Sequence, residues 1–319
     1  MRSSSGQARS RLRPLDYVFL ARPPSLVPLW VFQFAGAWAA ARAHGTPFPP
    51  FGAPPAVLLG ALSMTLLLSG CFVLNQIFDV ESDRANRKLF YLADGLISMR
   101  AAWLELGVLW AAAAATALFL PASFRWVLVV SFILSVTYSA PPVRAKARTP
   151  LDLLWNGLGF GLAGYAAGWT SASALAPGWW WAGVSYGLSV AGVIASTTIP
   201  DIQGDMAAGL RTTGAVLGAR RTSALTMALL LAGAAVGWLS RDVLGLFGPL
   251  LALPLMIRAH RSLTRPDRVM ADQVAVAVFA VIAGVRVPLL LLLLGAVYFG
   301  TRAYYRARFG MAFPGRGTP

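Results

Sequence analysis

The chain has one cysteine, Cys71, and two histidines, His44 and His260, in 319 residues. A single cysteine excludes any intrachain disulfide framework. Cys71 lies inside an apolar run and reads as a small buried hydrophobe. Both histidines fall in or near loops without metal-ligand spacing, which argues against a zinc site. Charge is scarce as well. Asp, Glu, Lys and Arg make up 12% of the chain, about half the share of an ordinary soluble domain. Acids are the scarcest, 12 against 27 Lys and Arg. No Gly-rich nucleotide loop occurs, so an ATP-driven mechanism has no footing. The Arg-rich start (Arg2, Arg9, Arg11, Arg13) has no short apolar stretch followed by a small-residue cleavage site. It reads as a cytoplasmic tail over residues 1–24, not as a signal peptide.

Hydrophobic residues supply 57% of the chain and fall in long blocks. Nine such segments lie near 25–42, 55–78, 101–120, 122–139, 152–171, 177–199, 222–239, 243–259 and 272–300. Each approaches the ~20 residues a helix needs to cross a bilayer. The fold expected is all-α: a polytopic bundle of nine transmembrane helices forming one domain over 1–319. A soluble chain would need many buried helices without polar faces. The last segment either tilts as one long helix or breaks near Arg286-Val287-Pro288.

The net charge of +15 raises the possibility of a nucleic-acid partner. The basic residues are scattered over short loops instead of one face, so nucleic acid is excluded as a partner. They follow the positive-inside rule instead. With the N-terminus in the cytoplasm, the tail and the loops near 79–100, 140–151, 200–221 and 258–271 hold 19 Lys and Arg. The opposite loops hold Arg42, Arg125 and Arg241. The expected location is the inner or plasma membrane, with the acidic segments facing the cytoplasm. The tail over 301–319, with Arg302, Arg306, Arg308 and Arg316, breaks the pattern if the last segment crosses once. Trp179-Trp180-Trp181 reads as an interfacial anchor.

Five of the 12 acids sit in two short runs at segment ends: Asn75-Gln76-Ile77-Phe78-Asp79-Val80-Glu81-Ser82-Asp83 and Asp201-Ile202-Gln203-Gly204-Asp205. Carboxylates beside hydrocarbon are costly unless neutralised. Asn75, Asp79 and Asp83 recur every four residues and so share a helix face. Asp201 and Asp205 repeat the spacing 122 residues later, which hints at a duplicated half. Acids at a helix C-terminus oppose its dipole, so capping does not explain them. Hard oxygens on two helices suit Mg²⁺, which binds through one or two carboxylates plus substrate phosphates. Two clusters could hold ions that stabilise a departing diphosphate. Cations lie nearby: Arg87 and Lys88, then Tyr138-Ser139-Ala140-Pro141-Pro142-Val143-Arg144-Ala145-Lys146, then Arg211. The Pro-Pro turn would fix the approach of Arg144 and Lys146, with the Tyr138 hydroxyl beside them. Asp152 reads as a cap for segment five.

These residues resemble the UbiA superfamily of intramembrane prenyltransferases, over most of the chain. The resemblance rests on Asn75, Asp79 and Asp83, then Gly95-Leu96-Ile97-Ser98. It continues through Tyr138 to Pro142 with Arg144 and Lys146, and ends at Asp201 to Asp205 with Gly209, Thr212 and Gly218. It implies a helical bundle around a central cavity open sideways to lipid. It implies that Asn75, Asp79, Asp83, Asp201 and Asp205 hold Mg²⁺ and an isoprenyl diphosphate. Lys88, Arg144 and Lys146 would carry the diphosphate charge, with Tyr138 and Arg211 beside them. Ionisation would leave an allylic cation for a lipophilic acceptor: an aromatic quinone precursor, a carotenoid or another lipid. One departure matters. Many members carry an Arg-Pro pair where this chain has Phe90-Tyr91-Leu92-Ala93-Asp94, and Lys88 would replace the missing charge. Segment five, with Trp155-Asn156-Gly157-Leu158-Gly159, looks nearer the branch that includes carotenoid elongases. A terpene cyclase on the same scaffold is the alternative reading. A cation-coupled transporter is disfavoured, because its acids would sit near the midplane.

Overall fold

In the computed structural model, which describes residues 12–49, 51–86 and 89–311, most of the chain is helical. Among the described residues no strand forms beyond a single bridge, Arg148 to Arg211. A short helix α1 (Pro14–Leu20) precedes α2 (Val27–Ala43) and the long α3 (Pro55–Asn86). After a four-residue helix α4 (Phe90–Ala93) come α5 (Met99–Ala117) and α6 (Ala122–Ser139). The second half holds α7 (Leu151–Asn156), α8 (Gly164–Ala172), α9 (Trp180–Thr197), α10 (Ile202–Ala207) and α11 (Thr213–Leu239). It closes with α12 (Val243–Ser262), α13 (Arg265–Arg286) and α14 (Pro288–Phe309). Six of these helices are long and apolar enough to cross a membrane: Pro55–Glu81 within α3, and α6, α11, α12, α13 and α14.

The nine apolar segments map onto helices, and the last of them takes the broken form of its two readings. The stretch near 272–300 falls in two helices. Pro288 has no amide hydrogen and clashes with a preceding helical turn, so the chain breaks at Val287 (φ −130°) and restarts. Helix α11 also starts earlier than its apolar run. Gly218, at φ 73°, interrupts it and sets a short first turn, Thr213 to Leu217, apart from the rest of the helix.

Helix α2 packs against α8, α3 against α5, and α9 against α11. The closest approach is made by glycine. A Cβ on Gly168 would stand 1.7 Å from the Gln33 carbonyl oxygen, so α2 and α8 meet only because α8 has no side chain there. The Gly157–Ala163 stretch joins α7 to α8 with wider π-type turns. The core between α2, α9 and α13 is aromatic, with Phe32 stacked on Tyr186 at 5.0 Å and edge-on to Phe279 at 5.7 Å. At one end of the bundle the end of α3 meets the loop after α6, and that loop pairs with the chain entering α11.

Candidate diphosphate site

Helix α3 runs unbroken through its acidic turn, so Asn75, Asp79 and Asp83 lie on one face, as their spacing requires. Lys146 comes to them from the loop after α6. Its Nζ donates to Asn75 Oδ1 and to Asp79 Oδ2, the latter at 2.5 Å. Arg144 Nη2 reaches Asp79 Oδ1 at 3.5 Å. One carboxylate is therefore held between an ammonium and a guanidinium. The loop that delivers them turns at Pro141-Pro142, where the peptide is cis, and passes through Arg144 in the left-handed region (φ 43°). Burial pushes the Lys146 ammonium below the ordinary lysine range, and Asp79 opposes that shift. Asp83 is 8% exposed, one turn beyond Asp79.

The second acidic run differs from its expected setting. Pro200 ends α9, and Asp201 and Asp205 belong to a new short helix, α10. Asp201 is its N-cap residue and Asp205 lies in its first turn. There the helix dipole favours negative charge, so the dipole argument drawn from the sequence holds for α3 alone. Local geometry also differs between the two runs: the first lies within a long helix, the second starts a short one. Thr212 Oγ1 donates to Asp205 Oδ2 at 2.7 Å and fixes the carboxylate.

Both acidic runs are anchored to the same basic loop. Arg211 N donates to the Ala147 carbonyl at 3.0 Å, and Thr149 N donates to the Arg211 carbonyl at 2.7 Å. Lys146 touches Asp79 on one side of this join, and Thr212 touches Asp205 on the other. Asp152 locks it. Its Oδ2 accepts from Thr213 N and its Oδ1 from Thr213 Oγ1, both at 2.7 Å. Asp152 thus ties the start of α7 to the start of α11 more than it caps α7. Arg211 contributes backbone here, and its side chain is exposed. The Tyr138 hydroxyl makes a hydrogen bond with Asn156 on α7, and Asp79 acts on it electrostatically. Lys88 lies outside the described residues.

Sequence reasoning missed Arg22. Gln76, 1% exposed, donates from Nε2 to the Leu20 carbonyl at 2.6 Å and pins the N-terminal segment to α3. Two residues on, Arg22 takes a left-handed turn (φ 54°) ahead of Pro23. Its Cζ lies 5.5 Å from the Phe72 ring centroid. Burial pulls its pKa down, and Asp83 is the largest opposing influence. Its sequence signal was slight: an arginine before Pro-Pro, more than 50 residues from the acids it faces. The stretch 90–95 packs against the C-terminal helix. Tyr91 donates to the Tyr304 hydroxyl at 3.2 Å and packs α4 under the end of α14.

Asn75, Asp79 and Asp83 present hard oxygens on one face, and a cation, the Lys146 ammonium, already bridges two of them. That donor set fits a magnesium ion sharing its ligands with a phosphate. Among the described residues no three Asp, Glu, His or Cys side chains form a ready-made metal cage, so the anion would have to complete the coordination.

The family model described as the UbiA prenyltransferase family matches residues 29–282. A lycopene elongase/hydratase of Halobacterium salinarum is 34% identical over 67% of this chain and 75% of its own length. A UbiA homolog from Archaeoglobus fulgidus, solved with GPP and Mg²⁺, superposes with a TM-score of 0.64 at 22% identity, covering 88% of this chain and 99% of its own. The apo UbiA homolog from Aeropyrum pernix K1 gives a TM-score of 0.65 at 21% identity, covering 88% and 98%.

Proposed function

Since the chain belongs to the UbiA prenyltransferase family, we propose that its two acidic runs hold one isoprenyl diphosphate and that its acceptor is a carotenoid. The observation that carries the first part is the shared loop. Lys146 and Arg144 sit on Asp79, while the same loop pairs its backbone with the strand of chain that presents Asp205. Asn75, Asp79, Asp83, Asp201 and Asp205 would hold Mg²⁺, which supplies the positive charge that lets carboxylates and diphosphate share one site. Asp79 releases Lys146 and Arg144 to the diphosphate oxygens, where an ammonium and a guanidinium offset the charge of the leaving group. Arg22 would add a third cation, within electrostatic reach of Asp83 and Asp79. Lys88 keeps the diphosphate role that the family resemblance gives it.

The allylic C–O bond then breaks, and both electrons leave with the diphosphate. A π bond of the acceptor supplies the pair for the new C–C bond. The acceptor's cation discharges by losing a proton. Apolar helices around a central, laterally open cavity would admit both hydrocarbon chains from the bilayer, with the diphosphate end facing the cytoplasm. The carotenoid acceptor rests on the 34% identity to a lycopene elongase/hydratase.

The test is direct. Purified protein receives radiolabelled dimethylallyl, geranyl or geranylgeranyl diphosphate, with either lycopene or an aromatic quinone precursor. Label is expected in a lengthened carotenoid. Label in the aromatic product instead would overturn the acceptor, and label in a cyclic hydrocarbon without acceptor would turn transfer into cyclisation.

A further inference from the structure

The far end of the bundle carries a concentration of charge that diphosphate chemistry does not use. Arg42 closes α2, Arg286 closes α13, and Arg241 precedes α12 in a left-handed turn (φ 54°). All three line one recess. Arg286 Cζ stands 4.1 Å from the Trp38 ring centroid and Arg42 Cζ 5.6 Å from the same ring. Two guanidiniums sharing one indole repel each other unless an anion joins them. The carboxylate lining the recess, Asp242, is engaged elsewhere. Its Oδ1 accepts from the Tyr186 hydroxyl at 2.8 Å and from Gly245 N at 2.6 Å, capping α12. Among the described residues no ion pair within 4 Å joins Asp242 to any of the three arginines. The recess therefore holds three positive charges against one negative.

An apolar groove adjoins it. The groove has a volume of about 460 Å³ and shares Arg241, Asp242 and Val243 with the recess. Its other walls include Trp238, Leu239 and Leu246, where α11 turns into α12. Trp238 and Leu239 are 69% and 75% exposed. A seat for an anion thus runs into a slot for a hydrocarbon chain. Helix α2 separates this end from Arg22 by its 17 residues, roughly 25 Å, so the recess is no part of the diphosphate site.

We propose that this end binds an anionic phospholipid, with its phosphate among Arg42, Arg241 and Arg286 and one acyl chain along the Trp238–Leu239 groove. Arginine suits the role because its planar fork grips phosphate oxygens in pairs. A zwitterionic headgroup would bring its own cation into a site that is already positive, so selectivity follows from charge. The groove makes the ligand an amphiphile; a free phosphate would leave it unused.

Native mass spectrometry of the detergent-purified chain, mixed with equal phosphatidylglycerol and phosphatidylcholine, tests this. Wild type should retain phosphatidylglycerol in preference. Arg42→Gln with Arg286→Gln should lower that occupancy about tenfold or more, the loss expected from removing charge-assisted contacts. Binding of an isoprenyl diphosphate at the other end should persist, which reports folding; Arg42→Gln alone, on an exposed side chain, serves if the pair does not fold. Equal retention of the two lipids by wild type, or an unchanged preference in the variants, overturns the proposal. So does full displacement of the lipid by glycerophosphate at equal concentration, which would make the recess a free-phosphate site.

Discussion

Lys146 is the side chain on which the site turns. Its ammonium bridges Asn75 and Asp79 across a sequence gap of about 70 residues, and burial lowers its pKa. An ordinary lysine titrates near ~10.4. Lys146 therefore loses its charge at a lower pH than an exposed lysine does. The sign follows. In that window the unfolded chain binds more protons than the folded one, so this group's contribution to stability rises with pH. Diphosphate binding moves the other way, since it needs the charged form. The KM for the diphosphate should rise with alkaline pH earlier than an ordinary lysine would make it do, and Lys146→Arg should flatten that rise. Lys146→Ala should weaken diphosphate affinity by about tenfold to a hundredfold at neutral pH. An identical alkaline rise in Lys146→Arg would assign the effect to another group. Asn75, Asp79 and Lys146 were legible in the sequence because fourfold spacing and a Pro-Pro turn are local signals. Arg22 was not, because its orientation depends on Gln76 holding the Leu20 carbonyl, a contact 56 residues apart in sequence.

Between helices, the decisive joint is the one Asp152 makes with Thr213. It holds the basic loop against the chain that leads from Asp205, and no periodicity in the sequence announces it. Thr212 and Thr213 look like ordinary helix-start residues, and Thr212 does cap α11. Only the fold shows that Thr213 closes onto α7. Asp152→Ala removes a carboxylate that accepts three hydrogen bonds, two of them from Thr213, and leaves Thr213 N without its partner. Breaking it should cost about 1–3 kcal/mol. Turnover should fall and the KM for the diphosphate should rise together, because both acidic runs lose register. Thr213→Val should act in the same direction, and the double variant should be no worse than the poorer single one, since the two residues form one joint. Additive losses would mean that they act separately. Pro200 teaches a related lesson. Helix α9 was legible from its apolar run, but the run alone did not reveal that the acids beyond it start a new helix.

At the scale of the molecule, the break at Val287-Pro288 removes the anomaly of the basic C-terminal tail. It adds a helix, so the end of α14 returns to the acidic end of the bundle. The N-terminal helix meets it there. Arg308 Nε stands 3.0 Å from Asp16 Oδ1, and the Tyr304 hydroxyl donates to the same oxygen at 2.6 Å. Burial alone would raise the Asp16 pKa; Arg308 and Tyr304 outweigh it and hold the carboxyl below its ordinary range. Among the described residues, Arg42, Arg125, Arg241 and Arg286 are then the basic groups of the far end, and the first, third and fourth line one recess. Apolar blocks announced the membrane fold, and the charge bias announced which ends share a face. The sequence left the last segment as either one tilted helix or a pair broken near Pro288, because two short apolar runs joined at a proline look like one long run; the fold takes the broken form. The central claim remains that two acidic runs, 122 residues apart, form one magnesium–diphosphate site. The direct test is diphosphate release from a labelled isoprenyl diphosphate during a magnesium titration, with wild type, Asp79→Ala and Asp201→Ala run side by side. Wild type should release diphosphate only as magnesium is added, and both variants should stay silent at every concentration. Full release by Asp201→Ala, or by wild type in excess chelator, would contradict the account.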